Sequence, residues 1–148
     1  STADCIPVML YDKEKQVVAA IHAGWRGTVG RIVEKTIHVM KDIYHTDEKD
    51  IIACIGPGIS LESFEVGDEV YQAFEEAGFD MSLIARKYAK WHIDLWEANR
   101  LQLLGLGVKE EHIEVAGICT YRAYESFFSA RRMGIRSGRI LSGIMLHK

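Results

Sequence analysis

The chain has 148 residues, the size of one domain with a single hydrophobic core. With 48% hydrophobic and 26% charged residues and a net charge of −3, it lacks the basic excess of a nucleic-acid binder. It also lacks an apolar run near the roughly 20 residues of a membrane-spanning helix, so neither nucleic acid nor membrane is an expected partner; these quantities do not set the oligomeric state.

The elements follow in chain order. Cys5–Tyr11 and Gln16–His22 are short apolar runs joined by Asp12-Lys13-Glu14-Lys15, which predicts a β-hairpin. Neither run alternates cleanly, so both faces are expected to be covered. Thr28–Tyr44 has apolar residues at helical spacing, with Thr28 as N-cap and Arg31 on the polar side. Asp50–Ile55 reads as a strand ended by Gly56-Pro57-Gly58, a turn that can wall a pocket. Glu65–Ala77 and Ile93–Leu104 read as helices, Ile113–Ile118 as a strand, Glu125–Arg132 as a short helix or turn, and Arg139–Leu146 as the last strand.

Three scattered cysteines, Cys5, Cys54 and Cys119, do not form a disulfide framework, so reduced thiols in a cytoplasmic compartment are expected. No basic stretch followed by an apolar core opens the chain, so no signal peptide is expected. It starts Ser-Thr-Ala-Asp-Cys and enters a strand at once, which raises the expectation of further sequence upstream.

The chemistry-bearing pattern is Cys5 with His22. A tight turn centred on Lys13-Glu14 places the two directly opposite each other on one face, with Cβ atoms about 5 Å apart. A thiolate and an imidazole at that distance can share a metal ion or act as nucleophile and base. A strand Cys is more commonly a core residue, and a strand-end His is commonly just hydrogen-bonded. The flank His22-Ala23-Gly24-Trp25-Arg26-Gly27-Thr28-Val29-Gly30 adds glycines, a helix start and a guanidinium, a set suited to an anion, with Trp25 as a stacking surface or core plug. Asp4 has three open roles: orienting a ligand, binding substrate or capping a turn. His92, Asp94, Cys119 and Arg131 carry no assigned role.

These motifs resemble a known family. TADC-x-PV-x-LYD, VVAA-x-HAGWRGTV, IGPGI, H-x-DL, CT, FFSARR and a closing GR occur in order over essentially the whole chain. The chain resembles the laccase-domain (multicopper polyphenol oxidase, or YfiH) family. That resemblance implies an α/β fold with mixed β-sheets in a layered α/β/β/α arrangement. It implies zinc, or copper in an older reading, held by Cys5, His22 and a third His in an upstream Gln-Val-His segment that this chain does not contain. Residues 1–148 are therefore expected to form a single domain lacking the family's N-terminal portion.

The implied activity is phosphate-dependent cleavage of adenosine, inosine, guanosine and methylthioadenosine, with deamination of adenosine. Cys5 and His22 would carry the metal chemistry; Asp4, Trp25, Arg26, Gly27 and Thr28 would contact nucleoside and phosphate. The alternatives are a metal-free Cys–His thiol hydrolase, polyphenol oxidation, and an inactive anion-binding fragment. Polyphenol oxidation by several coppers fits six unclustered histidines poorly.

Overall fold

Two strands rich in β-branched and small apolar residues open the fold: β1, Ile6–Asp12, and β2, Val17–Ala23. A computed structural model describes residues 1–147. The strands pair antiparallel, with Ile6 opposite Ala23 and Pro7 opposite His22. The connecting turn is wider than the sequence suggests. Asp12 Oδ1 accepts from the N–H groups of Glu14 and Lys15, each at 2.9 Å, and Gln16 takes a left-handed conformation (φ 55°). The register is therefore shifted two residues from a turn centred on Lys13-Glu14. A two-residue shift keeps every side chain on its face.

The helical segment Thr28–Tyr44 is two helices: α1, Trp25–Val29, and α2, Ile32–Tyr44. Arg31 breaks them with left-handed φ 59° and ψ 43°. That conformation disfavours a side chain, but Arg31 gains partners by it. Its Nη2 donates to the Ala77 carbonyl at 2.7 Å, and its guanidinium lies 3.8 Å from the centre of the Phe79 ring. Thr28 lies inside α1 rather than capping it: its N–H and its hydroxyl both donate to the Gly24 carbonyl at 2.8 Å.

β3, Ile51–Ile55, pairs antiparallel with β1, and β7, Ile113–Val115, pairs parallel with β3. The result is a mixed sheet in the order β2-β1-β3-β7. Between β3 and β7 lies a second, antiparallel sheet in the order β4-β6-β5, made of Glu65–Val66, Trp91–Ile93 and Ala85–Lys87. Helices α3, Asp68–Glu76, and α4, Met81–Ile84, accompany it, and α5, Leu95–Gly105, returns to the first sheet. The mixed α/β architecture expected from the resemblance is present.

The core lies between one face of the first sheet and the helices. Ile6, Val8, Leu10, Ile51, Ala53 and Ile55 are fully buried, as are Val33 and Ile37 of α2 and Leu103 of α5. The opposite face is only partly covered, against the expectation of two buried faces. Burial alternates along β3, with Ile52 and Cys54 exposed, and residues 144–147 line a cavity against Met9, Tyr11 and Val18. No strand forms over Arg139–Leu146; Ile140 makes a single antiparallel bridge to Thr2, and Leu141 and Met145 are exposed. That apolar run finds no neighbouring strand to complete a ladder. The last helix, α6, spans only Ala130–Met133.

Candidate functional site

The site sits where β1 begins and β2 ends. Cys5 precedes β1 and His22 is the next-to-last residue of β2. They are diagonal rather than directly opposite, since His22 faces Pro7. They nevertheless converge over Gly24. A methyl group on the Gly24 α-carbon would lie 2.8 Å from Cys5 Sγ and 3.9 Å from His22 Nε2. Only a residue without a side chain leaves that space open. The imidazole is exposed and the thiol half-buried.

Burial pushes the Cys5 thiol above its ordinary value, as does the charge of Asp4; the charge of Arg139 and a backbone hydrogen bond act in the opposite direction. A soft sulfur and an imidazole nitrogen facing one small volume suit zinc. They would supply two ligands. No group of three metal-ligating side chains occurs among the described residues.

Asp4 adopts φ 86° and is buried, and both carboxylate oxygens find partners inside the protein. Oδ1 accepts from the Thr120 hydroxyl at 2.7 Å and Oδ2 from the Arg131 N–H at 2.7 Å. The Asp4 carbonyl accepts from Ile59 N–H at 2.8 Å. Asp4 thus ties three distant segments to the start of β1. Gly58 lies in the same crossing: a methyl there would come within 2.3 Å of Ile6 Cδ1 and 3.0 Å of the Asp4 carbonyl oxygen.

The residues after His22 divide. Trp25 and Gly27 are half-buried, and Arg26 is exposed with its guanidinium 4.4 Å from the Trp25 ring centre. Thr28 is fully buried; besides the bonds to Gly24, its hydroxyl accepts from Asn99 Nδ2 at 3.2 Å. Its polar groups hold α1 against α5.

Three of the unassigned residues have clear positions. His92 Nδ1 donates to the Leu61 carbonyl at 2.8 Å, and Nε2 lies 4.0 Å from Glu65 Oε2. Asp94 caps α5, accepting from Glu97 N–H at 2.9 Å. Cys119 is buried and its sulfur accepts from Ser60 N–H at 3.3 Å. Burial raises the Cys119 thiol, but hydrogen bonds from Ser60, Arg122 and Ser63 outweigh it and leave it below its ordinary value.

Residue-level reading of the sequence did not single out Arg139. It lines a pocket of about 360 Å³ with Asp4, Phe64 and Arg131, and its charge reaches Cys5. The Thr2–Ile140 bridge brings it there across the length of the chain. The closing Gly138-Arg139 pair was the one available signal.

A family model described as multi-copper polyphenol oxidoreductase laccase matches residues 1–147. The chain belongs to that family. A purine nucleoside phosphorylase from Bacteroides thetaiotaomicron is 59% identical over 151 aligned positions, covering 100% of this chain and 56% of its own length. Adenosine deaminase RL5, from an unknown prokaryote, is 46% identical, covering 97% of this chain and 56% of its own. Among solved structures, YlmD from Geobacillus stearothermophilus superposes with a TM-score of 0.82 at 36% identity, covering 88% of this chain and 50% of its own. YfiH from Bacillus licheniformis gives 0.83 at 30% identity, with the same coverage. The chain spans about half the length of the curated relatives it matches. No helix among the described residues is long and apolar enough to cross a membrane.

Proposed function

We propose that this chain carries the catalytic part of a zinc-dependent purine nucleoside phosphorylase that also deaminates adenosine. The observation that supports it most is the convergence of Cys5 Sγ and His22 Nε2 over Gly24. The relatives named as phosphorylase and deaminase point the same way. Adenosine, inosine, guanosine and methylthioadenosine are the proposed substrates, with phosphate as co-substrate. The proposed setting is the cytoplasm, consistent with three free cysteines.

Cys5 and His22 would hold the zinc as two of its protein ligands. Zinc, when bound, supplies Lewis acidity that lowers the proton affinity of water at the purine. The raised Cys5 thiol must lose its proton on ligation, so zinc uptake releases protons. His22 is exposed and can turn its ring toward the shared volume. In deamination, water adds at the purine C6 and the amino group leaves as ammonia. In phosphorolysis, a phosphate oxygen forms a bond to the ribose C1′ as the C1′–N bond breaks. The electron pair leaves with the purine, which takes up a proton from solvent.

The raised thiol weighs against the thiol-hydrolase reading, since a cysteine nucleophile is ordinarily activated by a lowered value. The test is product analysis with adenosine, with and without phosphate, alongside zinc content. Inosine and ribose 1-phosphate are expected. Cys5→Ala and His22→Ala should each lose stoichiometric zinc and lower turnover by about 100-fold or more. Full zinc and full turnover in Cys5→Ala would sink the assignment.

A further inference from the structure

We propose that the anionic co-substrate binds between the guanidiniums of Arg131 and Arg139, in the pocket beside Cys5, and not on Arg26. The inference rests on the phosphorolytic reading for the identity of the anion as phosphate. The two arginines come from the segment around α6 and the residues just before the Thr2 bridge, and both line the 360 Å³ pocket together with Asp4, Ile59 and Phe64.

Each guanidinium is anchored by one nitrogen. Arg131 Nη1 donates to the Glu65 carbonyl at 2.8 Å, and the guanidinium lies 5.3 Å from the Phe64 ring centre. Arg139 Nη1 donates to the Ser137 carbonyl at 2.5 Å and the Gly138 carbonyl at 3.0 Å. A guanidinium has five N–H donors in a fixed fork. Both side chains are exposed, and the remaining donors of each are left for a ligand.

Asp4 is the one acidic group in the lining. Its two oxygens already accept from the Thr120 hydroxyl and from the Arg131 main-chain N–H. Two cations facing one satisfied carboxylate leave the pocket net positive, in a chain whose overall charge is −3. The pocket therefore concentrates an anion locally. It adjoins the proposed zinc ligands, because Asp4, which lines it beside Arg139, is followed directly by Cys5. Ile59 and Phe64 give it an apolar wall that a ribose or purine can cover. Arg26, by contrast, lies over the Trp25 ring. The α1 N–H group of Thr28 is spent on the Gly24 carbonyl.

The experiment compares Arg131→Gln, Arg139→Gln and Arg26→Gln in the full chain, with two readouts. The first is KM for inorganic phosphate against KM for inosine in phosphorolysis. The second is direct phosphate binding by ³¹P line broadening, which needs no turnover. Arg131→Gln and Arg139→Gln should each weaken phosphate about tenfold or more in both readouts, with a much smaller change in the inosine KM. Arg139→Lys should recover part of the loss, since it restores the charge without the fork. Arg26→Gln should leave phosphate affinity within about twofold.

Phosphorolysis with unchanged phosphate KM in both pocket variants would overturn the inference and leave the phosphorylase reading standing. A phosphate KM raised by Arg26→Gln alone would do the same. Phosphate binding that depends on Arg139 in a chain that cleaves no nucleoside would do the reverse. Absence of any phosphate binding would overturn both.

Discussion

Asp4 holds a conformation that costs an L-residue on the order of 1–3 kcal/mol, and it persists because its surroundings over-determine it. Two hydrogen bonds to its carboxylate and one to its carbonyl fix the start of β1 and, one residue on, the Cys5 thiol. Asp4→Ala strands the buried Thr120 hydroxyl, so a loss of about 2–4 kcal/mol is expected in urea unfolding. Asp4→Asn keeps an acceptor oxygen and should lose less. At Asp94 the cost is electrostatic. Burial raises its carboxyl above the usual value of 3.8, more than the Glu97 N–H bond lowers it. The folded chain therefore binds this proton more tightly than the unfolded one. Its ionisation opposes folding, with no effect below the unfolded value and the full cost above the raised folded value. Asparagine caps a helix as well as aspartate does. Asp94→Asn should thus gain stability relative to the parent chain as pH rises from about 4 into the neutral range. A gap between the two that stays flat over that window would contradict the burial argument.

At the level of elements, pairing and periodicity were readable and junctions were not. The β1–β2 hairpin is where apolar runs predicted it, and the Cys5–His22 shared face survived a two-residue change of register because strands repeat every two residues. The wider turn depends on the Asp12 carboxylate capping two N–H groups, a local bond that composition does not distinguish from a solvated aspartate. The break at Arg31 was hidden because its conformation is stabilised by Ala77 and Phe79, far along the chain. Thr28 also reads differently in three dimensions. It joins Asn99 and the Gly24 carbonyl, and so fixes α1 behind the site. Thr28→Val is isosteric but leaves Asn99 Nδ2 without that partner; a cost of about 1–3 kcal/mol is expected, read from the shift in denaturation midpoint. Gly58→Ala tests the neighbouring junction. Its methyl meets Ile6 and the Asp4 carbonyl, so overpacking of about 1–3 kcal/mol should appear together with weaker zinc retention.

Across the whole molecule, the candidate site is assembled from both ends of the chain. Cys5 and His22 come from the first hairpin; Arg131 and Arg139 come from the far end, through a stretch with little regular structure. This explains why the Cys5–His22 pair was legible in a local motif while the arginine pocket was not. Hairpin partners are set by a short turn, but the approach of Arg139 to Cys5 depends on one long-range bridge. That bridge consists of Thr2 N–H to the Ile140 carbonyl at 2.9 Å and Ile140 N–H to the Thr2 carbonyl at 2.7 Å. Ile140→Pro removes the second donor and leaves the buried core residues untouched. One lost backbone hydrogen bond should cost only about 1 kcal/mol of global stability. If the bridge positions Arg139, phosphate affinity should fall about fivefold or more while zinc content stays stoichiometric. Equal phosphate affinity in the Ile140→Pro chain would show that Arg139 reaches its position without the bridge.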